Sequence, residues 1–376
     1  MNILHINSNY LTSKLHENLI DRVESDEIHN TIFMPIKEEI KDRFLYESKH
    51  EVHSPVTFNN RDKFIFTYKQ NKIYKKLKQT LDVSKYDLIH AHTLFTDGNI
   101  AYRLNNEFGI PYVVTVRGYT DLDEYFKKRI NLRDKGRVIL EQASIVNFLS
   151  EYNKKELLNK YIHNPILKKN IVDKSTVIPN GIDDIYFEKE GKPKKINKQE
   201  PIKFIQVSKV MKIKNHLGSL HGIQKFSTCS GRDSKYDFVG EIFQQSYFDK
   251  IKKTDFGIST YHEPVNPELL IEYYRKSDIF IMPSFSETFG LVYPEAMSQG
   301  LPIIYTKGQG FDGQFEEGYV GYGVDPYNPE DIANKISLII KNYDQISSNT
   351  LKAYKKFNWD NLALDYIQIY KNILNE

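Results

Sequence analysis

Short β-branched runs alternate along the chain with longer stretches whose apolar residues recur at helical spacing, the pattern of βα units on a parallel sheet. In the first half this predicts strands at Asn2–Ile6, Thr31–Met34, Leu88–His90, Tyr112–Thr115, Ile145–Phe148 and Thr176–Ile178. Helical periodicity fits Lys14–Val23, Phe66–Leu81, Asn99–Asn106, a long stretch from Asp123 to about Gln142, and Asn153–Tyr161. The cycle then restarts, with strands expected at Lys203–Val207, Asp237–Val239, Phe256–Ile258, Ile279–Met282 and Pro302–Tyr305.

The segment from Lys189 to Pro201 carries Pro193, Pro201, Gly191 and many charges, offers no face to bury, and reads as a surface linker. The expected organisation is an amino-terminal domain over 1–188, a linker over 189–201, a second domain over 202–356 and a terminal helix over 357–376. That helix bears Leu362, Tyr366, Ile369, Tyr370 and Ile373 as an apolar stripe. Two α/β domains of similar size should meet across a cleft lined by strand carboxyl ends.

Composition narrows the function. The 376 residues favour two domains, and 40% hydrophobic with 27% charged residues suits a folded globular chain. A net charge of +3 is too small to propose a nucleic-acid binder. Cys229 is the single cysteine, which excludes an intramolecular disulfide framework and a cysteine-clustered zinc site. No apolar run approaches the ~20 residues that span a bilayer, and the polar-interrupted start Met1–Asn7 does not resemble a signal peptide. A cytosolic protein is expected.

Candidate chemistry concentrates in Pro283–Pro302. A buried strand ends at Met282, a polar turn follows, and a short helix begins near Gly290 and stops at Gly300, with Pro294 tolerable only in its first turn or so. The amides of Phe289, Gly290 and Leu291 then point out of a positive helix end, a ready site for phosphate. Glu287 lies before that helix and Glu295 one turn inside it. A carboxylate accepts two hydrogen bonds from vicinal hydroxyls, so each can grip a sugar or ribose. The plain alternative is a dipole partner and a solvated side chain. After the restart strand come Ser208, Lys209 and Lys214, in a loop where two cations could neutralise a diphosphate.

Glu287 and Glu295 in this frame, with Phe289-Gly290 between them, resemble the Glu-x7-Glu motif of family-4 retaining glycosyltransferases of the GT-B fold. Lys209 and Lys214 are similar to that family's paired basic residues, the first of which is more usually arginine. Val177–Asp183, Asp87–His92, Pro111–Gly118 and Phe357–Asp360 resemble further stretches of the family, so the likeness covers nearly the whole chain. It implies two Rossmann-like α/β domains and a transferase acting on a nucleotide-diphosphate sugar, a UDP-sugar above others. The implied acceptor is a glycan or polyprenyl-linked molecule, as in bacterial surface-polysaccharide synthesis, with peripheral membrane contact an open possibility. By the same resemblance Glu295 holds the ribose and Glu287 the transferred sugar. Lys209, Lys214, Ser208 and the Phe289–Leu291 amides hold the diphosphate. No cofactor or metal is implied.

The chain also departs from the family. Arg117 stands where many members have histidine, and a guanidinium with a pKa above about 12 cannot shuttle a proton. Arg117 is therefore expected to bind on the acceptor side, as are His92 and Asn9, the latter in a loop that replaces the usual Gly-Gly. His90 and His92 are expected to alternate on their strand end, so that only one faces the cleft. Asp121-Leu122-Asp123 resembles a metal-binding Asp-x-Asp but opens a predicted helix, where carboxylates are common for dipole reasons. Two rivals remain at this stage: a non-transferring GT-B epimerase, and a nucleotide-sugar-binding protein without turnover.

Overall fold

The computed structural model describes residues 1–37, 46–197 and 199–375; Lys198 of the expected linker and Glu376 of the expected terminal helix lie outside them. The chain folds into two compact units, one formed by Met1–Gly181 with Trp359–Glu376 and the other by Ile182–Asn358.

The first unit holds strands β1 (Asn2–Ile6), β2 (His29–Phe33), β3 (Ile36–Lys37), β4 (Glu51–His53), β5 (Val56–Phe58), β6 (Leu88–Ala91), β7 (Tyr112–Val116), β8 (Ile145–Phe148) and β9 (Ser175–Val177). Among the described residues they form a sheet of order β4-β2-β1-β6-β7-β8-β9 and a small pair β3-β5. All the pairings are parallel. Helices on both faces bury the central strands completely, as in β7, and this is why those segments are apolar throughout rather than alternating. The short β3, β4 and β5 carry little periodicity and were not expected from it.

The second unit holds β10 (Ile202–Val207), β11 (Ser234–Val239), β12 (Ser259–His262), β13 (Ile279–Ile281), β14 (Ile303–Thr306) and β15 (Gly321–Val324). Their order is β12-β11-β10-β13-β14-β15, again all parallel. Two expectations are corrected here. The strand predicted at Phe256–Ile258 begins at Ser259, because Gly257 takes φ +75° and turns the chain first. β15 went unread because its sequence, Gly-Tyr-Gly-Val, looks like a loop. A Cβ on Gly321 would lie 1.8 Å from the Ile303 carbonyl oxygen, so the edge pairing requires glycine there.

The long helix expected from Asp123 is also broken. Gly118–Lys127 winds as a wide π-helical segment, Ile130–Leu132 as a 3-10 turn, and Arg133–Gln142 as a regular helix. Such segments place side chains that a regular helix would misdirect, and Asp121 is one of them.

The largest correction concerns the linker. The units divide at Gly181/Ile182, so 182–188 leaves the first domain and 189–201 belongs inside the second unit. Gly191 donates its amide to the Ser298 carbonyl at 2.8 Å, and the Lys194 amide donates to Ser347 Oγ at 2.7 Å. The Lys194 ammonium caps the end of the helix Pro267–Lys276 by donating to the carbonyls of Tyr274, Arg275 and Ser277. A cation at a helix carboxyl end offsets both the dipole and the unpaired carbonyls. Burial pushes this lysine down to about 8. Its charge, read as a solvation signal, instead anchors the segment.

The chain re-enters the first unit at Trp359, and the helix Trp359–Asn375 packs Leu362, Ala363, Tyr366 and Tyr370 against Ile3, Leu19, Val23 and Val113. Gly181 lies directly under the Trp359 indole, where a Cβ would come within 2.5 Å of the ring. That contact makes glycine obligatory where the chain leaves the unit.

Candidate active site

In the second unit, β13 ends at Ile281 and the following loop delivers Glu287. The helix after it runs Val292–Ser298, so it starts two residues later than Gly290, which itself takes φ +83°. Lys214 closes a 3-10 turn, Lys212–Lys214, after β10. These two loops converge. Lys214 Nζ donates to Glu287 Oε2 at 2.5 Å, with side-chain exposures of 21% and 12%. The Thr288 amide donates to Glu287 Oε1 at 3.1 Å, and the Glu287 amide donates to Gln309 Oε1 at 2.9 Å. The glutamate is thus fixed from three directions. Lysine and glutamate, expected to serve phosphate and sugar separately, form one half-buried ion pair.

The amides of Phe289, Gly290 and Leu291 have no acceptor among the described residues and remain available to an anion. The Phe289 side chain points the other way, 1% exposed and packed on Phe311 and Phe357. Only its backbone can serve the site. Lys209 is exposed, 3.5 Å from Glu241 and over the Phe243 ring. Ser208 Oγ lies 3.3 Å from His216 Nε2 and accepts from Gln206 Nε2 at 3.4 Å, so its hydroxyl is occupied inside the loop.

Glu295 is held by two residues that motif reading missed. The hydroxyls of Tyr186 and Tyr274 donate to its Oε2 at 3.2 and 3.4 Å. Burial pushes the Glu295 carboxyl up to about 7, against the pull of these hydroxyls. Tyr186 was missed because its segment was assigned to the other domain, and Tyr274 because a tyrosine on an apolar helix stripe reads as core.

In the first unit Arg117 follows β7. Its Nε donates to the His92 carbonyl at 2.7 Å and its guanidinium reaches His16 Nε2 at 3.3 Å. Burial pushes Arg117 down from its usual range. His92 is 2% exposed and its carbonyl accepts from Arg117, so it positions that residue through its backbone. Asn9 is exposed, and its amide donates to Asn7 Oδ1 at 3.0 Å.

The expected alternation of His90 and His92 is wrong, because residues two apart on a strand share a face. Their rings stack at 4.1 Å, with His5 beside them. Asn30 Nδ2 donates to Glu24, which leaves Oδ1 to accept from His5 Nε2 at 2.9 Å. His5 Nδ1 then accepts from His92 Nε2 at 3.0 Å, while His90 bonds Tyr370 and Thr115. Burial, reinforced by neighbouring histidines and Arg117, holds these rings neutral: His5 falls to about 4, and His16, His90 and His92 lie well below the ordinary range. His5, His90 and His92 bring ligand atoms within 4.8 Å of one another, but these hydrogen bonds already engage both nitrogens of His5 and of His90.

Asp121 is fully buried and accepts the amides of Arg117, Leu94 and Phe95 at 2.8, 3.1 and 3.4 Å. Burial pushes it up to about 7 against those three donors. Asp121, the first member of the Asp-x-Asp, is therefore a brace for the Arg117 turn. Asp121→Ala strands three interior amides and should cost about 2–4 kcal/mol of stability in urea unfolding, with Asp121→Asn costing less. A loss below the error of the unfolding curve would remove the brace role.

Comparison with known proteins supplies the family. Residues 18–185 match the family model described as Glycosyltransferase Family 4, and residues 188–357 match that described as Glycosyl transferases group 1. The chain is a family-4 glycosyltransferase of the GT-B fold. It is 24% identical to an uncharacterized glycosyltransferase of Methanocaldococcus jannaschii over 364 residues, 95% of this chain and 93% of that one. Sucrose-phosphate synthase from Thermosynechococcus elongatus superposes with a TM-score of 0.76 at 19% identity, covering 100% of this glycosyltransferase and 99% of that chain. Anabaena HepE, solved with UDP-glucose, does so at 0.68 and 18%, covering 99% of this chain and 100% of that one. Membership in the transferase class displaces the epimerase rival. No helix among the described residues is long and apolar enough to cross a membrane.

Proposed function

We propose that this glycosyltransferase moves a sugar, with retention of anomeric configuration, from a nucleotide-diphosphate sugar to a glycan or lipid-linked acceptor without a divalent metal. The supporting observation is the Lys214–Glu287 ion pair of the second unit, followed in the same loop by three amides, Phe289 to Leu291, without an acceptor among the described residues. In this reading Glu295, steadied by Tyr186 and Tyr274, holds the ribose, and Glu287 holds the transferred sugar. Lys209, Lys214 and the Phe289–Leu291 amides stabilise the diphosphate as negative charge grows on it, and donors fixed before the reaction lower that barrier directly. The departing phosphate oxygen takes the acceptor's proton on the face it leaves, so no separate base is required. A UDP-sugar is the favoured donor, in keeping with the HepE complex. Arg117 serves an anionic group of the acceptor. The test is incubation with a panel of nucleotide sugars, with and without glycan or polyprenyl-phosphate acceptors, reading the anomer of the product by NMR. An inverted product, or nucleotide-sugar binding with no product for any acceptor, counts against it.

A lipid-linked acceptor brings a membrane contact into the proposal. The helix Phe66–Thr80 buries Phe66, Ile73, Tyr74 and Leu77 in its own unit, so its apolar stripe is not available to lipid. Lys72 pairs with Asp62 at 2.8 Å, Lys78 pairs with Glu107, and Lys69 lies over Phe58. Just before it, Phe64 and Ile65 are 89% and 63% exposed, and Lys75 and Lys76 are exposed on the helix. A basic residue near an anionic surface contributes about 1 kcal/mol. Reversing Lys75 and Lys76 to glutamate should weaken binding to phosphatidylglycerol vesicles by roughly tenfold or more. Co-sedimentation indifferent to lipid charge and to this change would remove the contact.

A further inference from the structure

The turn that carries Lys214 has a second side. Lys212, two residues earlier in the same turn, lines a cavity of about 650 Å³ within the second unit. Lys250, His221, Leu217, Phe285 and Tyr327 share its wall, whereas Lys209, Lys214, Glu287 and Glu295 do not. The cavity is separate from the donor side but backs onto the same loops, since the Phe285 amide donates to the Ile213 carbonyl at 2.8 Å.

Its wall is preformed. Asn215, 3% exposed and the one non-glycine residue with positive φ among the described residues, sits at φ 55°. From there its Nδ2 donates to the carbonyls of Pro283 and Pro326 at 2.9 and 2.8 Å, tying three loops together. Asparagine is one of the few residues besides glycine that adopt this backbone region readily, and its side-chain bonds hold it there. Three amides at the start of the helix His216–Ser230 are already used: Leu217 donates to the Tyr247 hydroxyl, Gly218 to Asn215 Oδ1 and Ser219 to the Asn215 carbonyl. An anion here is met chiefly by side chains. Lys212 and Lys250 supply them, with no ion-pair partner for either ammonium among the described residues. Part of the same wall is aromatic. Phe285 and Tyr327 stack at 4.7 Å and 29°, and Tyr327 is 77% exposed.

We propose that this cavity binds a nucleoside phosphate, with the base on the Phe285–Tyr327 platform and the phosphates at Lys212 and Lys250. A bare anion would leave the aromatic platform unused, and an uncharged sugar would leave both lysines unused. A nucleoside phosphate uses both, and stacking on aromatic rings tolerates any base. Because Lys212 and Lys214 share one turn, occupancy acts on the loop that also serves the donor.

The test is calorimetric titration of the full chain with ADP, in the unaltered protein and in Tyr327→Ala, Lys250→Glu, Lys209→Ala and Glu295→Gln. Tyr327→Ala removes half of an exposed stack and should weaken ADP on the order of tenfold, with Lys250→Glu weakening it similarly. Lys209→Ala and Glu295→Gln should leave that binding unchanged while weakening UDP, so failure here is distinguishable from failure of the donor assignment. Three results would overturn the proposal: no ADP binding at millimolar concentration, ADP binding lost only in the donor-side variants, or pyrophosphate binding as tightly as ADP with Tyr327→Ala without effect.

Discussion

Lys214→Ala should lower kcat/KM about 10- to 150-fold, which corresponds to the roughly 1.5–3 kcal/mol scale of a charge-assisted hydrogen bond. The same assay in excess EDTA should stay within about twofold, since this mechanism routes no charge through a metal. The size of the lysine effect follows from what is lost together. Lys214 is the half-buried member of the proposed diphosphate clamp, whereas Lys209 is exposed and screened by solvent and Glu241. Its removal also leaves Glu287, only 12% exposed, without the cation that compensates it. Activity abolished by EDTA and restored by Mg²⁺ or Mn²⁺ would falsify the lysine-based mechanism.

The second large effect belongs to Glu287→Gln, expected to depress kcat by roughly tenfold or more while KM moves little, because the glutamate is proposed to grip the sugar as charge develops. Glu295→Gln should do the reverse and mainly weaken the donor, since a ribose contact is nearly equal in ground and transition states. The ion pair adds a sharper test. Two groups 2.5 Å apart should not contribute independently. A cycle of Lys214→Ala, Glu287→Gln and the double variant should depart from additivity by about 0.5–3 kcal/mol. Additive losses, or equal kinetic profiles for the two glutamate variants, would dissolve the roles assigned to them.

Much of the site was legible before any coordinates because its signals are local. Glu287 and Glu295 lie in a single strand–loop–helix step, and glycine and proline mark where that step turns. Tyr186, Tyr274 and Asp121 were not legible in the same way. A tyrosine on a helix stripe looks the same whether its hydroxyl is idle or holds a carboxylate. An acidic pair at the start of a helical stretch looks the same whether it faces solvent or, as Asp121 does, takes three backbone amides into the interior.

By itself, then, the sequence determined the alternation of strands and helices, the restart near the middle of the chain and the residues from which a donor side is proposed. Each depends on side-chain period, backbone-restricting residues or spacing within one unit of structure. The tertiary structure decided what those residues touch. It paired Lys214 with Glu287 across 73 positions and brought Tyr186 to Glu295 across 109. It also turned His92 inward and converted a charged linker into an anchored segment through Lys194. Hydrogen bonds and ion pairs over such separations depend on how sheets and loops stack in space, and no local periodicity encodes that.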